Sequence, residues 1–259
     1  MGVKKRIAKL AKADYGGLIF AALAVFLIIT AWESASRLNF FSPIFFPGIP
    51  KIASEFWRLY KSGEIYGHLS VSLWRLFAGY GIGVIFAVIA VIAATAWKKT
   101  APTIQIFIAL LFALPKVTFL PLLILWLGID EAPKIMVIAL GTYFFTFIPM
   151  FGGIGKIDRD LVDAAKLDMH YGVKMIVKIH FPCAIKAVTS GLKSGAGAAV
   201  AALMATEMLL SNRGLGFLLL ESQQFLAAGQ LFAIMATIAL VSATFYAVLE
   251  IIGRNLFSE

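Results

Sequence analysis

Charge is what this chain has least of. Only 14 % of its residues are Asp, Glu, Lys or Arg, whereas a soluble domain carries about 25 %. Hydrophobic residues make up 61 % and the mean hydropathy is +0.90, against roughly 45–50 % apolar residues in soluble chains. A length of 259 residues allows an ordinary core without so much apolar surface. An ordinary soluble globule is therefore excluded, and the lipid bilayer is the solvent that fits. Cysteine is nearly absent: Cys183 stands alone, so no intramolecular disulfide can form. The three histidines, His68, His170 and His180, are scattered without ligand spacing, which argues against a metal site. Catalytic signatures are missing as well, with no GxSxG, no HExxH and no paired cysteines. The nearest approach to a phosphate loop, GGIGKID at Gly152–Asp158, lacks the loop's spacing and its hydroxyl after lysine. Any active process run by this chain must then draw its energy from another subunit or from an ion gradient.

What is present is a series of long apolar blocks. A hydrocarbon core about 30 Å thick takes about 20 apolar residues in a helix. Six blocks meet that length, at about 16–36, 75–97, 103–127, 133–152, 185–209 and 230–252. Pro115 and Pro121 predict a kink in the third. Between 38 and 72 the chain is mixed and aromatic. Ile52, Phe56, Leu59 and Tyr60 recur there at helical spacing, which predicts a short amphipathic helix at an interface. The basic start and the small residues at Ser34–Ser36 resemble a signal peptide, but the apolar run exceeds the usual 7–15 residues or so, so an uncleaved first helix is expected.

The net charge of +9 does not point to nucleic acid, because the basic residues form no stripe interleaved with aromatics. They cluster at block ends instead. With the N-terminus inside, Lys4, Lys5, Arg6, Lys9, Lys12, Lys98, Lys99, Lys156, Arg159, Lys166, Lys174, Lys178, Lys186 and Arg254 fall on the cytoplasmic side. Seven cations, Arg75, Lys134 and Arg213 among them, fall outside, so both termini are expected inside. The reading is an all-α, multi-pass integral membrane protein of about six transmembrane helices. Residues 1–15 form a basic cytoplasmic N-terminus, 16–256 a single transmembrane domain, and 257–259 a C-terminal tail.

The longest polar interruption, Gly155–Pro182, is too short for an independent fold. Within it Leu161, Ala164, Ala165 and Leu167–Asp168 suggest a short amphipathic helix, with Leu161, Ala165 and Asp168 on one face; a solvated loop lying on the membrane is the alternative. Among the ionisable residues inside blocks three are singled out, because charge there is costly enough to invite a functional reading. Glu207 reads as a gate or pathway group, or as a carboxylate capped by a polar neighbour near water. Lys193 reads as a pathway group or as a lysine snorkelling to the interface. Lys116 reads as an attractor for an anionic substrate, or as a side chain facing water in a pore. The GxxxG spacings Gly79/Gly83 and Gly191/Gly195, with Ala187, Ala198, Ala202 and Ala205, predict close helix packing.

At the polar interruption the chain resembles a known family. DAAKLDM…IHFP is similar to the EAA loop of membrane subunits of binding-protein-dependent ABC importers, E-A-A-x3-G-x9-I-x-L-P. Asp163 stands for the acid, Ala164 and Ala165 for the alanines, and Ile179, Phe181 and Pro182 for I-x-L-P. Met169 occupies the usual glycine position, a departure from the pattern, with Gly172 the nearest flexible residue. Segments His68–Gly83, Leu114–Ile135, Gly191–Leu209 and Asn212–Leu219 look like the nitrate/sulfonate/taurine-type permease branch.

The resemblance implies a type I-like ABC importer permease fold. It implies a homodimer with a second permease copy, two cytoplasmic ATP-binding subunits and an extracytoplasmic solute-binding protein, in the inner (plasma) membrane. ATP and Mg2+ would sit on the ATPase, leaving this chain without a cofactor. Leu161, Asp163, Ala164, Ala165, Lys166, Met169, Gly172 and Pro182 would lie in or near the contact that transmits ATPase closure to the spans. The Gly214–Phe217 turn would face the binding protein. Cargo would be a small polar solute, nitrate-, sulfonate- or taurine-like, with bicarbonate or a vitamin precursor also carried by look-alike members. An ion-gradient-driven secondary transporter is the rival reading, and a membrane-embedded enzyme a weaker one for want of convergent polar groups.

Overall fold

The computed structural model describes residues 3–38, 40, 42–96, 101–168 and 173–256, and among them only helices and turns occur. The helices are α1 (Val3–Arg37), α2 (Ile49–Ser62), α3 (Glu64–Ala96), α4 (Ala101–Ala113), α5 (Leu120–Leu127), α6 (Glu131–Ile154) and α7 (Arg159–Asp168). After these come α8 (Val173–Met175), α9 (Phe181–Cys183), α10 (Ile185–Leu210), α11 (Leu215–Gln224) and α12 (Ala228–Leu256). Among the described residues four stretches are long and apolar enough to cross a membrane: Ile19–Arg37, Glu64–Ala96, Glu131–Ile154 and Ala228–Arg254. A fifth is reached if α10 and α11, bent by 54°, are taken as one broken span. The third apolar block does not form one helix. It breaks after Ala113, where Pro115 supplies no N–H, and resumes through a 3₁₀ turn (Lys116–Phe119) into α5.

The chain divides into two compact units. The first comprises Met1–Lys61 and Ser222–Ala233. There the Glu33 carboxylate accepts the Ile49 N–H at 2.9 Å and so caps the start of α2. Trp32 stacks on Phe46 at 3.9 Å and donates its indole N–H to the Pro47 carbonyl. Along α2, Ile52, Phe56, Leu59 and Tyr60 are indeed the sheltered face, Leu59 completely so.

The second unit comprises Ser62–Glu221 and Ile234–Glu259, and its centre is α6, packed along both α3 and α10. Glycine makes the two seams close. A Cβ on Gly79 or Gly83 would strike Ile138 or Thr142 of α6, and one on Gly191 would lie 2.7 Å from the Thr146 carbonyl. Small residues thus replace hydrophobic bulk at these contacts, as helix pairs in lipid require. The contacts run in step along α3 and α6 and in opposite order along α10, so α3 and α6 are parallel and α10 is antiparallel. Two apolar clusters fill the seams, one around Leu76, Ile138, Ala199 and Leu203, the other around Val91, Phe147, Met150 and Val188.

Candidate functional site

Both ends of α6 carry polar features, and its 24 residues hold them about 36 Å apart at 1.5 Å per residue. At its start lies a buried ion cluster. Arg75 of α3, 1 % exposed, donates from Nε and Nη2 to the two oxygens of Glu131 at 2.5 and 2.7 Å. That fork-to-carboxylate geometry is the strong bidentate kind. Its Nη1 donates to Glu207 Oε1 at 2.9 Å and to the Arg213 carbonyl at 2.7 Å. Lys134 of α6, also buried, donates to Glu131 at 2.8 Å. With two cations and two anions the cluster is electrically neutral.

Glu207, fully buried in the last turn of α10, is surrounded on its other sides as well. It accepts from the Ser72 hydroxyl at 2.8 Å and from the Gly216 N–H at 2.9 Å. Ser72 Oγ in turn accepts the Leu215 N–H at 2.8 Å, and His68 Nδ1 lies 3.1 Å from the Gly214 carbonyl oxygen and 3.2 Å from the Gly214 nitrogen. Gly214 adopts φ +127°, a conformation that disfavours side chains, and a Cβ there would collide with the Glu207 carboxylate. The cluster therefore pins α3, α6, α10 and the turn into α11 to one another. Burial without pairing would be costly, and every member has opposite charge or backbone donors around it.

Other intramembrane ionisables behave differently. Lys193 is paired with Glu250 of α12 and sits 5.6 Å from the Tyr246 ring, an arrangement absent from the snorkelling expectation. Lys116 donates to the carbonyls of Phe112 (2.6 Å) and Leu111 (3.3 Å) in the last turn of α4 and to that of Leu114 (2.9 Å) just beyond it. It rests 4.8 Å from the ring centres of both Phe112 and Phe144.

Beyond the other end of α6 comes α7, which carries Leu161, Asp163, Ala164, Ala165 and Lys166. The Asp158 carboxylate accepts the Asp160 N–H at 3.0 Å and starts the helix. Leu161, 49 % exposed, and Ala164 face outward, although one is apolar and the other small. Met169 and Gly172 lie outside the described residues. Pro182 lies in α9, so it does not end a loop but sits near the start of a single turn that leads through Ala184 into α10. Between α8 and α9 runs a π turn, Ile176–His180, anchored by buried Met175, Ile176 and His180. Among the described residues no group of three or more His, Cys, Asp or Glu could hold a metal ion.

Sequence reasoning singles out Glu207 but misses its partners. Arg75 counts there as a topology marker at the edge of block 75–97, whereas α3 begins at Glu64 and Arg75 stands well inside it. The available signal was Ser72 and Arg75 at i,i+3 on one helical face, level with acids at the ends of two other apolar blocks. Glu250 was likewise legible only as a charge near a block end.

A helical bundle with several membrane-crossing segments, pinned by buried ions, defines a multi-pass membrane protein. Residues 71–258 match the family described as binding-protein-dependent transport system inner membrane component. The chain is 31 % identical over 222 residues to the putative aliphatic sulfonates transport permease SsuC of Escherichia coli, covering 83 % of this chain and 84 % of that one. It is 30 % identical over 237 residues to SsuC of Bacillus subtilis, covering 90 % and 84 %. Against the taurine transport system permease TauC of Escherichia coli it is 25 % identical over 230 residues, covering 87 % and 83 %. The chain belongs to the binding-protein-dependent transport inner membrane component family, and is an ABC importer permease.

Proposed function

We propose that this permease forms the pathway of an ATP-driven importer for a small sulfonate- or taurine-like solute, and that α7 is where a separate ATPase drives it. The observation that carries the reading is α7 itself. A ten-residue helix four residues beyond a membrane-capable helix exposes Leu161 and Ala164, and carries the Asp-Ala-Ala pattern of the EAA loop. A small residue facing outward lets a partner surface approach closely, and an exposed leucine gives that surface something to cover.

In this reading two copies of the chain form the pathway and two ATP-binding subunits hold ATP and Mg2+ below them. A solute-binding protein delivers cargo from outside, and both termini lie in the cytoplasm of an inner membrane. The chain itself makes and breaks no covalent bond; it offers alternating access. The sulfonate or taurine cargo is inferred from the names of the relatives.

The test is uptake by proteoliposomes holding this permease with its ATPase, supplied with the binding protein. Accumulation should require ATP and persist when ion gradients are dissipated. Gradient-driven accumulation by the permease alone would instead establish a secondary transporter.

A further inference from the structure

Four ionisable side chains inside the helical bundle have a partner of opposite charge: Arg75, Glu207, Lys134 and Lys193. Lys116 has carbonyl oxygens and ring faces but no carboxylate among the described residues. It stands at the break between α4 and α5, in a wall of a cavity of about 350 Å³. The rest of that cavity is apolar. Phe112 lines it beside the break, Gly141 and Phe145 come from α6, and Ala198, Ala201 and Ala202 from α10.

We propose that this cavity is a waypoint for an aliphatic sulfonate, its anionic head at Lys116 and its short alkyl body against Phe145 and the α10 alanines. The proposal rests on the importer reading above and narrows its cargo. Three features select this class. The uncompensated ammonium selects a negative head, since an unpaired charge in a membrane protein is costly and an anion relieves that cost. The incoming oxygen replaces the longest of the three carbonyl contacts, that to Leu111 at 3.3 Å. The apolar remainder of the cavity, from Phe112 to the α10 alanines, suits a head that carries an alkyl tail. The absence of an acid among the lining residues leaves the ammonium of a zwitterion such as taurine without a partner beside a lysine.

The experiment measures initial uptake of labelled pentanesulfonate and labelled taurine in cells carrying the permease, its ATPase and its binding protein. Lys116→Met is expected to lower the maximal pentanesulfonate rate about ten-fold or more, with the half-saturating concentration unchanged because capture precedes the permease. Lys116→Arg restores most of the rate. Ala201→Phe, which fills the cavity and keeps the charge, lowers it again, so the proposal stays testable even if Lys116→Met does not fold. Taurine uptake is expected to change by less than about two-fold in Lys116→Met. Unchanged pentanesulfonate uptake in Lys116→Met and Ala201→Phe overturns the proposal, and so does an equal loss for both solutes. A phospholipid that native mass spectrometry finds on the wild type and not on Lys116→Met, with uptake unchanged, also overturns it and assigns the cavity to lipid. ATP-dependent import of a different cargo with no sulfonate uptake removes this inference and leaves the importer reading standing. Uptake that needs no ATP removes both.

Discussion

The two ends of α6 treat their side chains in opposite ways. At the Glu131 end, Arg75, Glu207, Lys134 and Ser72 are buried and partnered, and the backbone turn at Gly214–Gly216 donates into the cluster. Beyond the Ile154 end, α7 is a short helix with Leu161 and Ala164 turned outward, followed by a π turn before α10 begins. One end spends its hydrogen-bonding capacity on holding helices of the same chain together. The other leaves Leu161 and Ala164 uncovered by the described residues of the chain. A charge in an apolar bundle is thus not by itself a sign of transport chemistry; its partners decide whether it is a clamp or a contact.

The largest effect should come from breaking the clamp on one side. Arg75→Met leaves Glu207 buried without its cation, and removing one partner of a buried pair costs about 3–5 kcal/mol. Thermal unfolding of the purified permease should show a steep loss of stability. The double variant Arg75→Met/Glu207→Gln should recover part of it, because no uncompensated charge of that pair remains. A double variant no better than the single one would mean that the cluster acts through packing rather than charge.

Gly214→Ala should come next, at about 1–3 kcal/mol, since the positive φ and the adjacent Glu207 carboxylate both oppose a side chain. The same unfolding assay reads it. A neutral result would show that the turn relaxes freely and that the clamp does not extend to α11.

Lys193→Met should have a smaller effect. Its partner Glu250 is partly exposed and also holds Arg254, so the melting temperature should shift little. Smallest of all should be Leu161→Ser on α7, within about 0.5 kcal/mol of wild type because the position is half exposed. A large destabilisation there would contradict the contrast between the ends.

Much of this was legible in the sequence, for reasons of scale. Hydropathy and helical period report burial over many residues, and so block 133–152 anticipates α6 at Glu131–Ile154, and the predicted helix near 161–168 anticipates α7 at Arg159–Asp168. The spacing of Ile52, Phe56, Leu59 and Tyr60 likewise marks the sheltered face of α2. The GxxxG spacings identify the tight seams, because only a missing Cβ permits them.

What stayed hidden depends on pairing across long chain separations. Nothing local to Arg75 says that Glu131 and Glu207, 56 and 132 residues away, will reach it. Charge counting treats Arg75, Lys134 and Arg213 as orientation markers, whereas two of them are buried side chains and the third lends a carbonyl to the cluster. Pro115 signals a kink in the third block but not that the chain resumes as a separate eight-residue helix. The partner of Lys193 is hidden for the same reason, since Glu250 approaches it from the far end of the chain.

Whether α7 receives the drive from an ATPase is read most directly from the ratio of solute imported to ATP hydrolysed in Ala164→Trp. Ala164 is exposed in this chain, so the larger side chain should leave insertion and melting temperature unchanged. Under a coupling role for α7, uptake is expected to fall at least about ten-fold, with the ATPase either released or hydrolysing ATP without moving solute. Normal uptake at the wild-type ratio in Ala164→Trp would contradict it.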